Sequence, residues 1–115
     1  MNKTERNYKI DYIELGATDL ELTKNFYRTV FGWTFTDYGP DYTSFTDGRL
    51  DGGFATQTER GTNPLIVIYA TDLEATYEQV KVIGGKISKK IFSFPGGRRF
   101  HFTDPSGNEL AVWSE

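Results

Sequence analysis

Ala17-Thr18-Asp19-Leu20-Glu21-Leu22-Thr23 and Ala70-Thr71-Asp72-Leu73-Glu74-Ala75-Thr76 are one phrase written twice. Six of the seven positions are identical at a spacing of 53 residues, and the same spacing carries Gly32 onto Gly85. A repeat of this kind marks a duplicated supersecondary unit. Each copy follows an apolar run with strand character, 10–16 and 65–70, and each carries a helix-start signal. Thr18 with Glu21, and Thr71 with Glu74, have capping-box spacing, in which the hydroxyl accepts from an early N–H and the carboxylate reaches back. Apolar residues then recur at helical spacing: Phe26, Tyr27, Val30 and Phe31 in the first copy, Leu73, Tyr77, Val80 and Ile83 in the second. This periodicity assigns them to the core. Gly32 and Gly84-Gly85 supply left-handed stops.

Three short strands are predicted after each helix: 33–38, 42–46 and 50–57 in the first half, 86–92, 98–103 and 109–113 in the second. Gly39-Pro40, Asp47-Gly48, Pro95-Gly96-Gly97 and Asp104-Pro105-Ser106-Gly107-Asn108 punctuate them with turn chemistry. The plan is β-α-β-β-β twice, module one at about 10–57 and module two at about 64–113. With 115 residues there is material for one core, so residues 1–115 are expected to form a single α+β domain. Burying both helices then calls for curled mixed sheets with the helices on one face and a concave cleft on the other.

Composition narrows the function. A net charge of −3 argues against a polyanionic partner, since nucleic-acid affinity comes largely from Lys and Arg neutralising phosphates. The absence of cysteine excludes thiol nucleophiles, disulfides and thiolate metal sites. The polar start of the chain and a longest aliphatic run of only Leu65 to Ala70 offer neither a signal peptide nor a membrane span, so a cytoplasmic protein is expected.

Strand alternation nominates the residues facing the cleft. Ile13 and Leu15 suit the helix side, which leaves Tyr12 and Glu14 opposite. Leu110 and Val112 make the same choice, which leaves Glu109, Ala111 and Trp113. Glu14 and Glu109 are therefore candidate catalytic acids, because two carboxylates in one site push their pKa values apart into an acid and a base. The alternative is that each pairs with a cation or meets solvent. His101, the only histidine, is expected as a partly buried hydrogen-bonding residue between Phe100 and Phe102. Its alternative is a ligand in a displaced metal site with Glu14 and Glu109. Arg98-Arg99 beside Gly96-Gly97 reads as a hairpin connection, with cover for an anion as the alternative.

Three signatures appear in order: Tyr12-Ile13-Glu14-Leu15 leading to Asp19-Leu20, the helix end Phe26-Tyr27-x3-Phe31-Gly32-Trp33, and Asp104-Pro105-Ser106-Gly107-Asn108-Glu109-Leu110. Together they resemble the vicinal oxygen chelate superfamily of glyoxalases, bleomycin-resistance proteins and extradiol dioxygenases, over about 10–113. The resemblance implies a fold of paired β-α-β-β-β modules and, in metal-dependent members, one divalent ion held by His or Glu at four strand positions. Carried over, those positions are Tyr12, Phe54, Ile66 and Ala111, none a usual ligand, so a member depleted of metal ligands is expected. Rings in place of ligands turn a Lewis-acid pocket into a stacking surface formed by Tyr12, Phe54 and Trp113; Trp33 either joins them or, as the first residue after the helix, packs the corner. The implied function is metal-free binding of a planar or aromatic small molecule, as in the drug-sequestering members, by a homodimer. Tyr12, Glu14, Phe54, Ile66, Glu109, Ala111 and Trp113 form the implied ligand set. The alternative is a lactoylglutathione-lyase-like lyase or isomerase with a divalent metal or a Glu14/Glu109 acid–base pair.

Overall fold

A computed structural model describes residues 2–56, 61 and 63–115. A short helix α1 (Lys3–Arg6) precedes β1 (Ile10–Gly16), α2 (Leu20–Phe31), β2 (Thr34–Asp37), β3 (Tyr42–Thr46) and β4 (Asp51–Ala55). The second copy is β5 (Leu65–Tyr69), α3 (Leu73–Val82), β6 (Lys86–Phe94), β7 (Gly97–Thr103) and β8 (Glu109–Ser114). The repeated β-α-β-β-β order stands. The expected end of module one at Gln57 lies outside the described residues.

The helix starts are one residue later than capping-box spacing implies. Asp19 and Asp72, in extended backbone, are the N-caps, and their carboxylates accept from Leu22 N–H at 2.9 Å and Ala75 N–H at 3.0 Å. Thr23 and Thr76 then donate back to the carbonyls of Asp19 and Asp72 at 2.7 and 2.8 Å. Thr18 and Thr71 lie just outside the helices. Glu21 and Glu74 fall in the first turn, where a negative charge meets the positive end of the helix. Gly32, at φ 73°, closes α2 in the left-handed conformation that a Cβ disfavours.

The chain divides into two compact units. One holds Tyr12–Leu65, and the other holds the N-terminal residues through Asp11 with Ile66–Glu115. In the first, the strand order is β2-β3-β4-β1, with β1 parallel to β4 and the other pairs antiparallel. Ala17, Phe45 and Phe54 form its buried core, with Leu15, Leu20, Tyr27, Trp33 and Phe35 packed on them. Trp33 stacks between Tyr27 and Phe45, with centroids 4.6 and 4.5 Å away. Of the helical aromatics expected in the core, Tyr27 reaches it. Phe26 and Phe31 are more than half exposed, as are Leu22 and Val30. The inward line is Leu20, Lys24 and Tyr27. Lys24 lies there because its ammonium pairs with Asp37 and Glu21, both at 2.9 Å, leaving its alkyl stem to be buried. Apolar period alone did not distinguish this line from the outward one of Leu22, Phe26 and Val30.

In the second unit the order is β5-β8-β7-β6, with β5 parallel to β8. Ala70, Leu73, Phe100 and Val112 are buried, and Ile68, Tyr77, Val80, Ile87, Ile91 and Phe102 pack on them. Ile83, expected beside them, is the C-cap of α3 and is exposed. The N-terminal segment joins this unit: Tyr8 N–H donates to the Tyr69 carbonyl at 2.7 Å, and Tyr69 N–H to that of Lys9 at 3.1 Å.

The expectation of curled sheets around a concave cleft is corrected. Within each unit the strands keep an open order, β2-β3-β4-β1 in one and β5-β8-β7-β6 in the other, which neither closes nor curls strongly and leaves β2 and β6 each at an end. Alternation reports which face a side chain takes, and it carries no information on curvature. The two ends show how an open sheet protects its edges: β2 is four residues long, while β6 carries Lys86, Lys89 and Lys90 and breaks register twice.

Asp19→Ala and Asp72→Ala are each expected to cost about 1 kcal/mol, and Thr18→Ala and Thr71→Ala much less. Urea unfolding of the four variants measures the difference.

Candidate functional site

In the unit Tyr12–Leu65, the face away from α2 is polar by alternation. Tyr12 stands opposite Asp51, Glu14 opposite Gly53, Gly53 opposite Ser44, and Thr34 opposite Thr46. Phe35, Thr43 and Phe45 take the helix side of the same strands. Tyr12, Thr34, Thr36, Ser44, Thr46 and Asp51 line a half-open hollow of about 240 Å³ that Phe45 also borders. The Tyr12 and Tyr42 phenols share a hydrogen bond over Gly53, and a Cβ at Gly53 would collide with the Tyr42 phenol and lie 2.7 Å from the Tyr12 oxygen. Burial pushes the Tyr12 phenol above its ordinary pKa. The bond to Tyr42 works against that shift, and the charges of Glu14 and Asp51 add to it. Glu14 itself is 8% exposed.

In the other unit Glu109, Ala111 and Trp113 share the face away from α3 and stand opposite Thr103, His101 and Arg99. His101 is buried, its Nδ1 3.5 Å from a Glu109 oxygen that also accepts from Ser88 at 2.9 Å, and its ring lies 5.8 Å from that of Phe92. The Trp113 indole N–H donates to Asp11 at 3.0 Å. Asp11 also holds Arg6, at 3.1 and 3.4 Å, and the Arg6 guanidinium lies 4.2 Å above the Tyr69 ring and 5.7 Å from that of Trp113. The chain's own cation therefore covers the aromatic surface beside Trp113. The Tyr69 phenol donates to Glu115, which raises the phenol and lowers the carboxyl. Arg98 is tied to Glu74 of α3, and the Arg99 guanidinium lies 5.5 and 5.6 Å from the rings of Phe92 and Phe94.

The sequence-predicted residues are thus distributed over two faces in each unit. Tyr12 and Glu14 share the polar face of the first unit. Phe54, grouped with them by the family resemblance, is 2% exposed on the opposite face, next to Leu15 in the β1–β4 register and 5.4 Å from the Tyr27 ring. Trp33 is in that same core. In the second unit Glu109, Ala111, Trp113 and His101 share a face, whereas Ile66 stands opposite Leu110 and takes the side of Ile68. Glu14 and Glu109 belong to different units.

A metal does not fit the inherited positions, which offer one phenol and three apolar side chains where three or four donors are needed. Among the described residues no group of three or more His, Asp or Glu is arranged to hold an ion. Sequence reasoning missed the hydroxyl row and Asp51, although Thr34-x-Thr36 and Tyr42-x-Ser44-x-Thr46 carry the period-two signal that finds it. It also missed Arg6 and Asp11, for which no local pattern exists, because their partners lie up to about a hundred residues away.

The repeated β-α-β-β-β modules, each with a mixed sheet, define a known class. The chain belongs to the Glyoxalase/Bleomycin resistance protein/Dioxygenase superfamily, which matches residues 9–112. The anthracycline biosynthesis protein DauV of Streptomyces sp. (strain C5) is 33% identical over 89% of the chain, which spans 45% of that relative's length. Two solved structures share the fold. A superfamily member from Vibrio splendidus 12B01 has a TM-score of 0.72 at 17% identity, covering 95% of this chain and 100% of its own. The Mn(II)-bound glyoxalase from Novosphingobium aromaticivorans has a TM-score of 0.69 at 21% identity, covering 95% of this chain and 39% of its own. Among the described residues no helix is long and apolar enough to cross a membrane.

The raised Tyr12 phenol gives a signed pH prediction. Above the ordinary value of 10.0 the unfolded chain ionises first, so the stability tied to the neutral phenol is whole below that pH and is lost as pH rises through the folded value. Tyr12→Phe is expected to flatten the loss of stability above about pH 10, measured by urea melts across the alkaline range.

Proposed function

We propose that this chain is a metal-free small-molecule-binding protein that holds a planar or aromatic ligand against the tyrosine-bearing face of the unit Tyr12–Leu65. The observation that carries the reading is Tyr12, which borders the hollow and hydrogen-bonds the Tyr42 phenol, at the strand position that the family resemblance implies for a metal ligand. Tyr38 extends the phenolic surface, with its ring 6.5 Å from that of Tyr42. Such a row offers ring faces for stacking and O–H groups for orientation, the usual mix in a ligand site. The relative DauV, named for anthracycline biosynthesis, supports including an anthracycline among the first compounds tested. The reading includes a single domain over the two modules, a homodimer and a cytoplasmic setting; light scattering checks the assembly.

A second reading, a lyase or isomerase, draws on the His101–Glu109 pair, since a buried imidazole beside a carboxylate is a proton-transfer arrangement. The binding reading is preferred because the hollow is lined by residues of the unit Tyr12–Leu65 and by neither member of that pair.

A thermal-shift and calorimetric screen of planar compounds tests the proposal. A ligand present at a hundred times its Kd stabilises the native state by about 2.7 kcal/mol. At least one planar compound is expected to raise the melting temperature, and Tyr12→Ala to weaken that compound by about 0.5–1.5 kcal/mol. A broad panel without a single shift would sink the proposal, as would affinity indifferent to Tyr12. Elemental analysis after dialysis against a weak chelator is expected to find no stoichiometric Ni, Zn, Mn or Fe. Retained metal that is lost on Tyr12→Ala overturns the metal-free part.

A further inference from the structure

The hollow beside Tyr12 is lined by hydroxyls from three strands and one carboxylate from a fourth. Thr34 and Thr36 come from β2, Ser44 and Thr46 from β3, Tyr12 from β1 and Asp51 from β4; no Lys, Arg or His lines it among the described residues. Local bonds fix part of their capacity. The Ser44 hydroxyl donates to the Thr36 carbonyl at 3.4 Å and so turns acceptor lone pairs outward, while Thr46 Oγ1 accepts from Gly48 N–H at 3.1 Å and keeps its O–H to donate. The phenols of Tyr12 and Tyr42 share one hydrogen bond, in which one O–H donates to the other oxygen. Asp51 only accepts, and the carboxylate of Glu14 lies on the same face of β1 as Tyr12. The hollow therefore offers mixed donors and acceptors with net negative charge.

Three ligand classes can be separated on this basis. A hydrocarbon ring would leave the hydroxyls unpaired when it displaced water from them, which costs free energy at each group. An anion would face Asp51, and among the described residues no basic side chain lines the hollow to offset that charge. A positive donor flanked by hydroxyls fits: the charge goes to Asp51 and the hydroxyls alternate with those of β2 and β3. Size points the same way, because about 240 Å³ is smaller than the roughly 300–1,000 Å³ of pockets that enclose drug-sized molecules. One ring or one branched substituent enters, and a planar body stays on the tyrosine surface outside.

We propose that this hollow binds the protonated amine and neighbouring hydroxyls of a ligand bearing an amino-hydroxy ring or side chain, with Asp51 as the group that selects the cation. The inference rests on the small-molecule reading of this same face and specifies which end of the ligand enters.

The test is a titration of the ¹⁵N-labelled full chain with D-glucosamine, D-glucose, D-glucuronate and, separately, a neutral planar compound. Glucosamine is expected to move the amide signals of Ser44, Thr46 and Gly53 and to bind about three- to tenfold more tightly than glucose, with glucuronate weakest. Asp51→Asn, at an exposed position, is expected to bring glucosamine to the level of glucose with little change in melting temperature. Gly53→Ala, which brings a methyl against the two phenols, is a second variant expected to reduce binding of the sugars. The inference is overturned if glucuronate matches glucosamine, if Asp51→Asn leaves the preference intact, or if none of the three sugars moves those signals. Planar binding without an amine preference overturns this inference alone. An amine preference without planar binding upholds the hollow and overturns the planar-ligand reading.

Discussion

The carboxylate of Asp19 takes the backbone N–H of Leu22, and that of Asp72 the N–H of Ala75, where an extended strand exit becomes a helix. Once the first turn is fixed there, the 3.6-residue period decides which residues point at the sheet. In the first copy these are Leu20, Lys24 and Tyr27; in the second, Leu73, Tyr77 and Val80. A start displaced by one residue would rotate the helix by about 100° and offer the sheet a different stripe. Each helix must also land on the face its own sheet has made apolar, so the cap and the strand register are a joint requirement. Both copies meet it with the same two bonds, the Asp carboxylate forward and the Thr hydroxyl back.

That joint requirement leaves the opposite face of each sheet available for other chemistry, and the two copies have diverged there. In the first unit short hydroxyl side chains on β2 and β3, together with Gly53 on β4, keep the surface low enough for two tyrosines to meet over it. In the second, large groups occupy the equivalent area: His101 and Glu109 pair, Arg99 lies near Phe92 and Phe94, and Arg6 covers Tyr69. Tyr69, at 1% exposed, is as buried as the core residues on the other side of its sheet. A duplicated frame thus holds one open face and one filled by its own side chains.

The repeat, the helix stops and most strand limits were legible because each is a local pattern with a mechanical cause. The family was legible from three motifs in order. What was not legible divides by range. Analogy of position puts Phe54 on the ligand face, whereas the parallel register of β1 with β4, which no local signal encodes, sets it beside Leu15. Ile66 was carried over in the same way and stands opposite Leu110. Phe26 and Phe31 have core-like spacing, yet the helix turns them outward because Lys24, tied to Asp37 thirteen residues later, takes the inward position. The hydroxyl row was present in plain period-two alternation. It was passed over because Thr and Ser in strands ordinarily mark a solvated face.

The two tryptophans fall one to each unit, in unlike surroundings. Trp33 is sandwiched between the rings of Tyr27 and Phe45, while Trp113 gives its indole N–H to a carboxylate and lies beside a guanidinium. Indole emission responds to the polarity and fixed charge around the ring, so the halves of the duplication carry distinguishable optical labels already in place. With either indole replaced by Phe, the remaining emission follows one unit at a time through a denaturant gradient. Coincident transitions would mark one cooperative body and separated ones two independently melting repeats. A fold copied within a single chain has thereby come to record, in its own light, whether the copies still behave as one.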